Sequence, residues 1–404
     1  MMDTISKKFK RSNPFLAVWI ILLMALVGVG IYAALQFVGR SESESVPWGL
    51  LVPSYIFFAL AATGVSLVNS ISTTFRVERF KPIIKRGIWL SLMLIVPAGI
   101  FIILDLGKTS QAFNIYLLFH ESSRLAWMGV LYLIFVVFLV LQLITAIREE
   151  RMPKWAPLAM GAIVLAATLT VETNLGALFG AVEAKPLWAS PLLPLHFIVS
   201  AFMVGACMHI LFISASYMSR RMSIPDEVKK LFTRDYRPLL IGLIIINFIV
   251  IAAKYIPELM STEASEYVKL LISGPYSATF WGLEIAVGGV IPLVILLYSK
   301  TRGSIKWLLG ASALMTIGVF FSKYDLILGG QSIGPTFTEG FISYVPSAFE
   351  ILTVVGGLAV CLLFYTIGEL LLPLEPKERP AWFIFNKREP SVNIDSPATK
   401  DILA

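Results

Sequence analysis

Long apolar runs recur along the chain, and short segments rich in Lys, Arg, Gly and Pro separate them. Ten runs stand out, at about 14–37, 48–72, 86–106, 125–147, 155–181, 189–217, 238–257, 276–299, 304–323 and 344–372. An α-helix of about 20 such residues crosses roughly 30 Å of hydrocarbon. The connections are short. The pattern therefore predicts an all-α integral membrane protein with about ten transmembrane helices in one compact bundle; the arrangement expected within it is two four-helix bundles plus flanking helices. Residues 14–372 form the membrane part, with tails at 1–13 and 373–404. KKFKR at 7–11 followed by an apolar run has the layout of a signal peptide. The run is too long for an h-region and no AxA-like site follows, so a retained first helix is expected.

Composition agrees and excludes much else. Among 404 residues, 57% are hydrophobic and 15% charged, with a mean hydropathy of +0.80. Soluble domains carry about a quarter charged residues. A disordered chain, a nucleic-acid binder and a disulfide-stapled secreted domain are all excluded. Cys207 and Cys361 lie inside apolar runs, and no CxxC or CxxCH occurs, so the chain itself holds no iron–sulfur cluster or covalent haem.

Charge changes the picture further. Of 33 Lys and Arg, 26 fall on alternate connections that would share one side with the N-terminus, counting Arg86, and seven on the other. The 26 acids divide evenly, so the two sides carry net +13 and −6. This positive-inside bias predicts an N-in, C-in protein of the cytoplasmic (inner) membrane. The overall +7 then needs no anionic partner beyond membrane lipid.

Ionisable residues within the spans are costly and are candidates for function. Asp105, Glu172, His196, Lys254, Glu284, Lys323, Asp325 and Glu350 all fall in the outer halves of their helices, with Lys323 and Asp325 closing the ninth. The inner half offers little beyond His209, Asn247 and Glu369. Taken singly, Asp105, Lys254, Asp325 and Glu369 fit helix-end residues reaching the interface, and Lys323 with Asp325 fits an ion pair. Glu172, Glu284 and Glu350 have stems too short for that, which predicts a shared polar cavity open to the outer side. Trp48, Trp127, Trp188 and Trp281 fit an interfacial aromatic belt. Bis-histidine haem is excluded: His120 lies in a loop, and His196 and His209 sit about 20 Å apart on one helix.

Several segments carry family motifs. Residues 172–205, ETNLGALFGAVEAKPLWASPLLPLHFIVSAFMVG, resemble the most distinctive stretch of the polysulfide-reductase NrfD-like family of membrane subunits. LDLGK at 104–108, SSRLAWMGV at 122–130, KYDLILGGQ at 323–331 and YVPSAFEI at 344–351 resemble further family words, in family order from PWGL at 47–50 onwards. The ten-helix length is similar to the longer subgroup that includes a hydrogenase-2 membrane subunit. The resemblance implies a quinone-reactive subunit, most of whose relatives have no cofactor of their own. They anchor a four-cluster ferredoxin-like iron–sulfur subunit beside a molybdopterin, hydrogenase or multihaem catalytic subunit. Electrons pass between those clusters and menaquinone or ubiquinone near the outer mouth.

The family's quinone-contacting Tyr is Glu172 here, and a quinone-ligating His aligns with Tyr55. The implied quinone site is then Tyr55, Glu172, Asn174 and His196, with Glu172 as the proton carrier, since burial disfavours a carboxylate. Asp105, Lys254, Glu284, Lys323, Asp325 and Glu350 are candidates for proton conduction. Two rivals remain: an ion-coupled secondary transporter, and a structural anchor without a quinone site. Against the transporter stand the one-sided polar distribution and the absence of matching broken helices in two halves.

Overall fold

The computed structural model describes residues 14–38, 48–106, 113–260, 264–332 and 344–374, and the described residues form helices and no strands. Lys108 and both tails, except residues 373–374, lie outside them. Among the described residues, ten helices are long and apolar enough to cross a membrane. They are α1 (Pro14–Val38), α2 (Leu51–Thr74), α3 (Lys81–Asp105), α4 (Arg124–Ile147), α5 (Ala156–Gly180), α6 (Leu193–Ser219), α7 (Arg237–Leu259), α8 (Ala278–Leu297), α9 (Ile305–Gln331) and α10 (Ala348–Leu371). In hydrocarbon each backbone N–H and C=O must be satisfied within its own segment, which an apolar helix achieves. Prolines fall in the first turn of α3, α5, α6 and α7, where the missing N–H costs nothing.

Helices α2 to α5 pack in a ring, as do α6 to α9, and α2 joins the two rings by packing on α6. The pair α1 and α10 flanks the first ring against α3. This is the expected pair of four-helix bundles with flanking helices. Helix α2 is buried along nearly its whole length although it carries Ser, Thr and Asn, because neighbours surround it on every side.

Small residues set the closest crossings, as in other membrane bundles. A Cβ on Gly64 of α2 would meet the Ala201 carbonyl of α6, and one on Gly205 would meet the Gly64 backbone. Gly288 faces Gly318 across α8 and α9 in the same way, and Gly30 faces Gly356 across α1 and α10. Because backbone rather than a flexible side chain blocks the space, Gly205→Val is expected to separate the two rings. Size-exclusion chromatography of the detergent-purified protein checks it: loss of the monodisperse peak is expected, and a wild-type profile would refute the crossing.

Two boundaries differ from the sequence pattern. Helix α9 runs eight residues past 323, so Lys323 and Asp325 are interior residues, not a helix end. Each charge has its own lateral partner: Lys323 Nζ donates to Ser200 Oγ at 3.0 Å, and Asp325 Oδ1 accepts from Thr279 Oγ1 at 2.6 Å. With those charges accommodated, the apolar LILGG continues the helix. Two residues apart, they face different neighbours and form no ion pair with each other. Helical residues also begin at Asp226, within the expected 218–237 connection, and a π-wound turn at Leu231–Tyr236 leads into α7. Buried Val228, Leu231, Phe232 and Tyr236 anchor that entry.

The ends of the assembly differ. One carries Arg76, Arg86, Arg220 and Arg237 and is called here the basic end; the other carries the 182–192 loop and is called the Trp188 end. At the basic end Glu369 does not reach the interface as a helix-end residue would. It is buried and ion-paired with Arg86 Nε at 2.9 Å and with Arg220, and Tyr365 donates to it at 3.0 Å. Arg86, which falls with a connection by its sequence position, is 1% exposed and also donates to Tyr217. This knot joins α3, α6 and α10.

Candidate functional site

The family motifs converge at the Trp188 end. Trp188 is buried, so it does not belong to an interfacial belt. Its indole stacks on Trp48 with centroids 5.5 Å apart, and Phe179 meets both rings edge-on. Its Nε1 donates to the Leu326 carbonyl of α9 at 2.6 Å. A Cβ on Gly330 would overlap that indole, which explains a glycine there. Gln331 then clasps Trp48, accepting from its N–H at 3.0 Å and donating to its carbonyl at 3.3 Å. The segment 344–351 plays a matching part. Glu350 stands at the third position of α10 and closes a capping box with Ser347. It also accepts from Tyr344 at 2.5 Å and from the Leu50 N–H at 3.1 Å, tying the start of α10 to the start of α2. Glu350 is thus a cap in the first turn, not a charge buried within the span.

Beneath this aromatic layer lie the buried charges. Glu172 of α5 is 1% exposed, and its Oε1 accepts from Thr63 of α2 at 2.5 Å. Its Oε2 has no partner among the described residues. Lys323 acts electrostatically on Glu172, and its Nζ also lies 4.5 Å from the Phe197 ring centroid. Phe197 stacks on Phe179, 6.2 Å away, so aromatic contacts run from Trp48 down to Lys323. His196 stands one turn before Ser200 on α6, within range of Lys323 and Lys254, with neither ring nitrogen bonded among the described residues. Glu284, on the π-wound part of α8 at Ala278–Val290, interacts with both lysines. Lys254 interacts in turn with Glu258 as well as Glu284, and Asp325 with Glu284. An alternating series Glu172, Lys323, Glu284, Lys254 thus links the two rings through their cores.

The remaining candidates take other places. Tyr55 is buried in electrostatic contact with Glu172 and with half-buried Asp105. Asn174 turns away toward α4, donating to the Arg124 carbonyl at 3.4 Å and touching Met128 Sδ at 3.3 Å. Four contributors carry no sequence signal that sets them apart. Thr63 and Ser200 hold Glu172 and Lys323. Tyr132 bears electrostatically on Glu172 and Tyr55, its buried hydroxyl lacking a hydrogen-bond partner among the described residues, and Glu258 faces Lys254. The expected open cavity takes a different form: these groups are packed and enclosed. An open cleft of about 240 Å³ lies instead at the basic end of the first ring.

The polysulphide reductase NrfD family profile matches residues 40–334. The chain belongs to this family. It is accordingly a multi-pass integral membrane protein, and the aromatic layer and the whole buried charge series lie within the matched region. Three relatives extend the similarity to most of the chain. It is 27% identical over 375 residues to the Hdr-like menaquinol oxidoreductase integral membrane subunit of Archaeoglobus fulgidus, covering 89% of this chain and 93% of that one. It is 22% identical to a selenate reductase subunit of Mesobacillus selenatarsenatis, covering 86% and 90%. It is 23% identical to a putative dimethyl sulfoxide reductase membrane subunit of Halobacterium salinarum, covering 88% and 90%.

Proposed function

We propose that this NrfD-family protein is the quinone-reactive membrane subunit of a respiratory oxidoreductase complex, with the quinone headgroup bound at the Glu172–Lys323 cluster. The observation that carries the reading is that cluster itself. A carboxylate and an ammonium, each buried within an apolar assembly, are tolerated where function requires them. The relatives' names supply the class: one is a menaquinol oxidoreductase subunit and two are subunits of reductases.

The side chains suit a quinone. Lys323 is a donor for one ring oxygen. His196, with both nitrogens free, and Tyr132, with a free hydroxyl, are partners for the other. Glu172 Oε2 is placed to exchange a proton with a quinone oxygen, while Thr63 fixes the orientation of Oε1. Phe197 and Phe179 offer apolar faces to the ring and its tail. The cluster is enclosed, so entry requires side-chain movement, for which the exposed Trp48 edge of the aromatic layer is the nearest door. Interconversion of quinone and quinol moves two protons and two electrons. The protein supplies the proton sites, and electrons cross to a partner.

By the positive-inside bias the basic end faces the cytoplasm. The partner, a four-cluster ferredoxin-like iron–sulfur subunit with a catalytic subunit, then docks at the Trp188 end on the outer side of the inner membrane. The complex purified from native membranes tests this reading. Iron–sulfur signals by electron paramagnetic resonance, with menaquinone or ubiquinone in the organic extract, are expected. A lone polypeptide lacking both would overturn it.

A further inference from the structure

The open cleft at the basic end lies where the α2–α3 and α4–α5 turns meet, and its lining divides by chemistry. Arg76, Lys81, Lys85 and Lys154 are its cations, against two acids, Glu78 and Glu149. Lys81 and Glu149 pair with each other at 3.7 Å. Arg76, Lys85 and Lys154 make no ion pair among the described residues, so positive charge is left over. Ile84, Ile88, Leu158 and Met160 supply an apolar wall.

Positive charge at this end follows from the positive-inside bias and by itself marks no site. The hydrogen-bonding groups are more particular. Gln142 of α4, on the same lining, is 3% exposed, and neither its amide oxygen nor its amide nitrogen has a partner among the described residues. A buried amide without either bond is costly, and such groups are normally satisfied. The hydroxyls beside it are already engaged as donors. Ser72 donates to the Val68 carbonyl, Thr73 to that of Asn69 and Thr145 to that of Leu141, each at 2.8 Å. Their oxygens are left only to accept. The cleft thus offers donors in Arg76, Lys85, Lys154 and Gln142 Nε2, and acceptors in three hydroxyls and Gln142 Oε1. An inorganic phosphate draws chiefly on the donors, whereas a phosphodiester carrying a hydroxylated headgroup uses both sets.

The flank of the cleft suits a lipid. Leu133, Ile134, Val137, Val140, Leu141 and Ile144 form an exposed apolar face on α4 at three- and four-residue spacing. From Leu133 to Ile144 this face covers about 16 Å, roughly one leaflet of a ~30 Å hydrocarbon core. It ends beside Gln142 and Thr145. An acyl chain lying along it brings its headgroup to the cleft.

We propose that this cleft binds the headgroup of an anionic phospholipid of the phosphatidylglycerol type, in the leaflet on the basic side. Arg76, Lys85 and Lys154 hold the phosphate, and Gln142 bridges phosphate and glycerol. The bound lipid ties the α2–α3 turn to the α4–α5 turn. The inference stands whether or not quinone binds at Glu172.

The delipidated full-length chain in detergent tests it, with phosphatidylglycerol, phosphatidylcholine and inorganic phosphate as probes. Native mass spectrometry counts the adducts, and thermal unfolding is read alongside. The wild type is expected to bind phosphatidylglycerol about tenfold more tightly than phosphatidylcholine, and to gain thermal stability from it. Gln142→Leu, which changes no charge, is expected to lose about tenfold in affinity for phosphatidylglycerol, the weight of one hydrogen bond to a charged group. Lys85→Gln with Lys154→Gln is expected to lose at least about tenfold as well. Lys300→Gln with Lys306→Gln, at the same end of the second ring and outside the cleft, is expected to keep wild-type binding. Equal loss in the two lysine pairs would reduce the preference to the general charge of this end and overturn the site, as would wild-type affinity in Gln142→Leu. Inorganic phosphate that displaces the lipid and stabilises the protein equally would overturn the lipid in favour of a free anion. Should Gln142→Leu fail to fold, the two lysine pairs decide, since none of their side chains is buried.

Discussion

Glu172→Gln is expected to lower quinone-linked turnover by about 10²- to 10⁴-fold, the usual effect of removing a general acid–base group, while the complex remains assembled. Gln keeps the Oε1 acceptor that Thr63 uses, so packing and the 2.5 Å hydrogen bond survive the change. Only the capacity to take and give a proton at Oε2 is lost. Steady-state turnover with a quinol analogue measures the rate, and binding of the same analogue shows that the site is intact. Full turnover in this variant would remove Glu172 from the mechanism and leave it a structural acceptor for Thr63.

The second large effect concerns folding. Glu369→Leu is expected to destabilise the protein by about 3–5 kcal/mol, because it breaks a buried ion pair by removing the carboxylate that Arg86 and Arg220 share. Arg220 is also freed but is partly exposed and less affected. A buried ion pair is stabilising chiefly in the sense that breaking one side is costly, whereas replacing both partners with apolar groups is often nearly neutral. The double variant Arg86→Met, Glu369→Leu is therefore expected to recover much of the loss. Thermal unfolding of the detergent-solubilised protein reads both. A single variant as stable as wild type would mean that the α3–α6–α10 knot contributes little.

Ten helices are legible in the sequence because hydrocarbon imposes one demand on every segment, and apolar length reports it directly; which helices pair is set by packing that length does not report. Local exceptions are not. Lys323 and Asp325 look like the end of a helix because a charge in an apolar run normally is one; Ser200 and Thr279, distant in sequence, make the interior tolerable. Glu350 looks like a deep charge because its capping role depends on Ser347 and on where α10 begins. Arg86 falls with a connection by position, and nothing local announces that Glu369 and Tyr217 receive it.

The candidate site is partly legible. Glu172, Lys323, His196, Glu284 and Lys254 stand out as ionisable groups in apolar runs, and the structure brings them into one cluster. Thr63, Ser200 and Tyr132 cannot be distinguished by sequence from the many hydroxyls of membrane helices. Asn174 is a candidate by its position near Glu172; two residues on, a helix has turned it toward α4.

The central claim is that quinone binds at the Glu172–Lys323 cluster. Photolabelling of the purified complex with an azido-menaquinone analogue, mapped by peptide mass spectrometry, tests it most directly. The account predicts label on α2, α5, α6 or α9 near Tyr55, Glu172, Phe197 and Lys323, and its displacement by excess unlabelled quinone. Displaceable label confined to the lipid-facing pair α1 and α10, or to the cleft at the basic end, would contradict it.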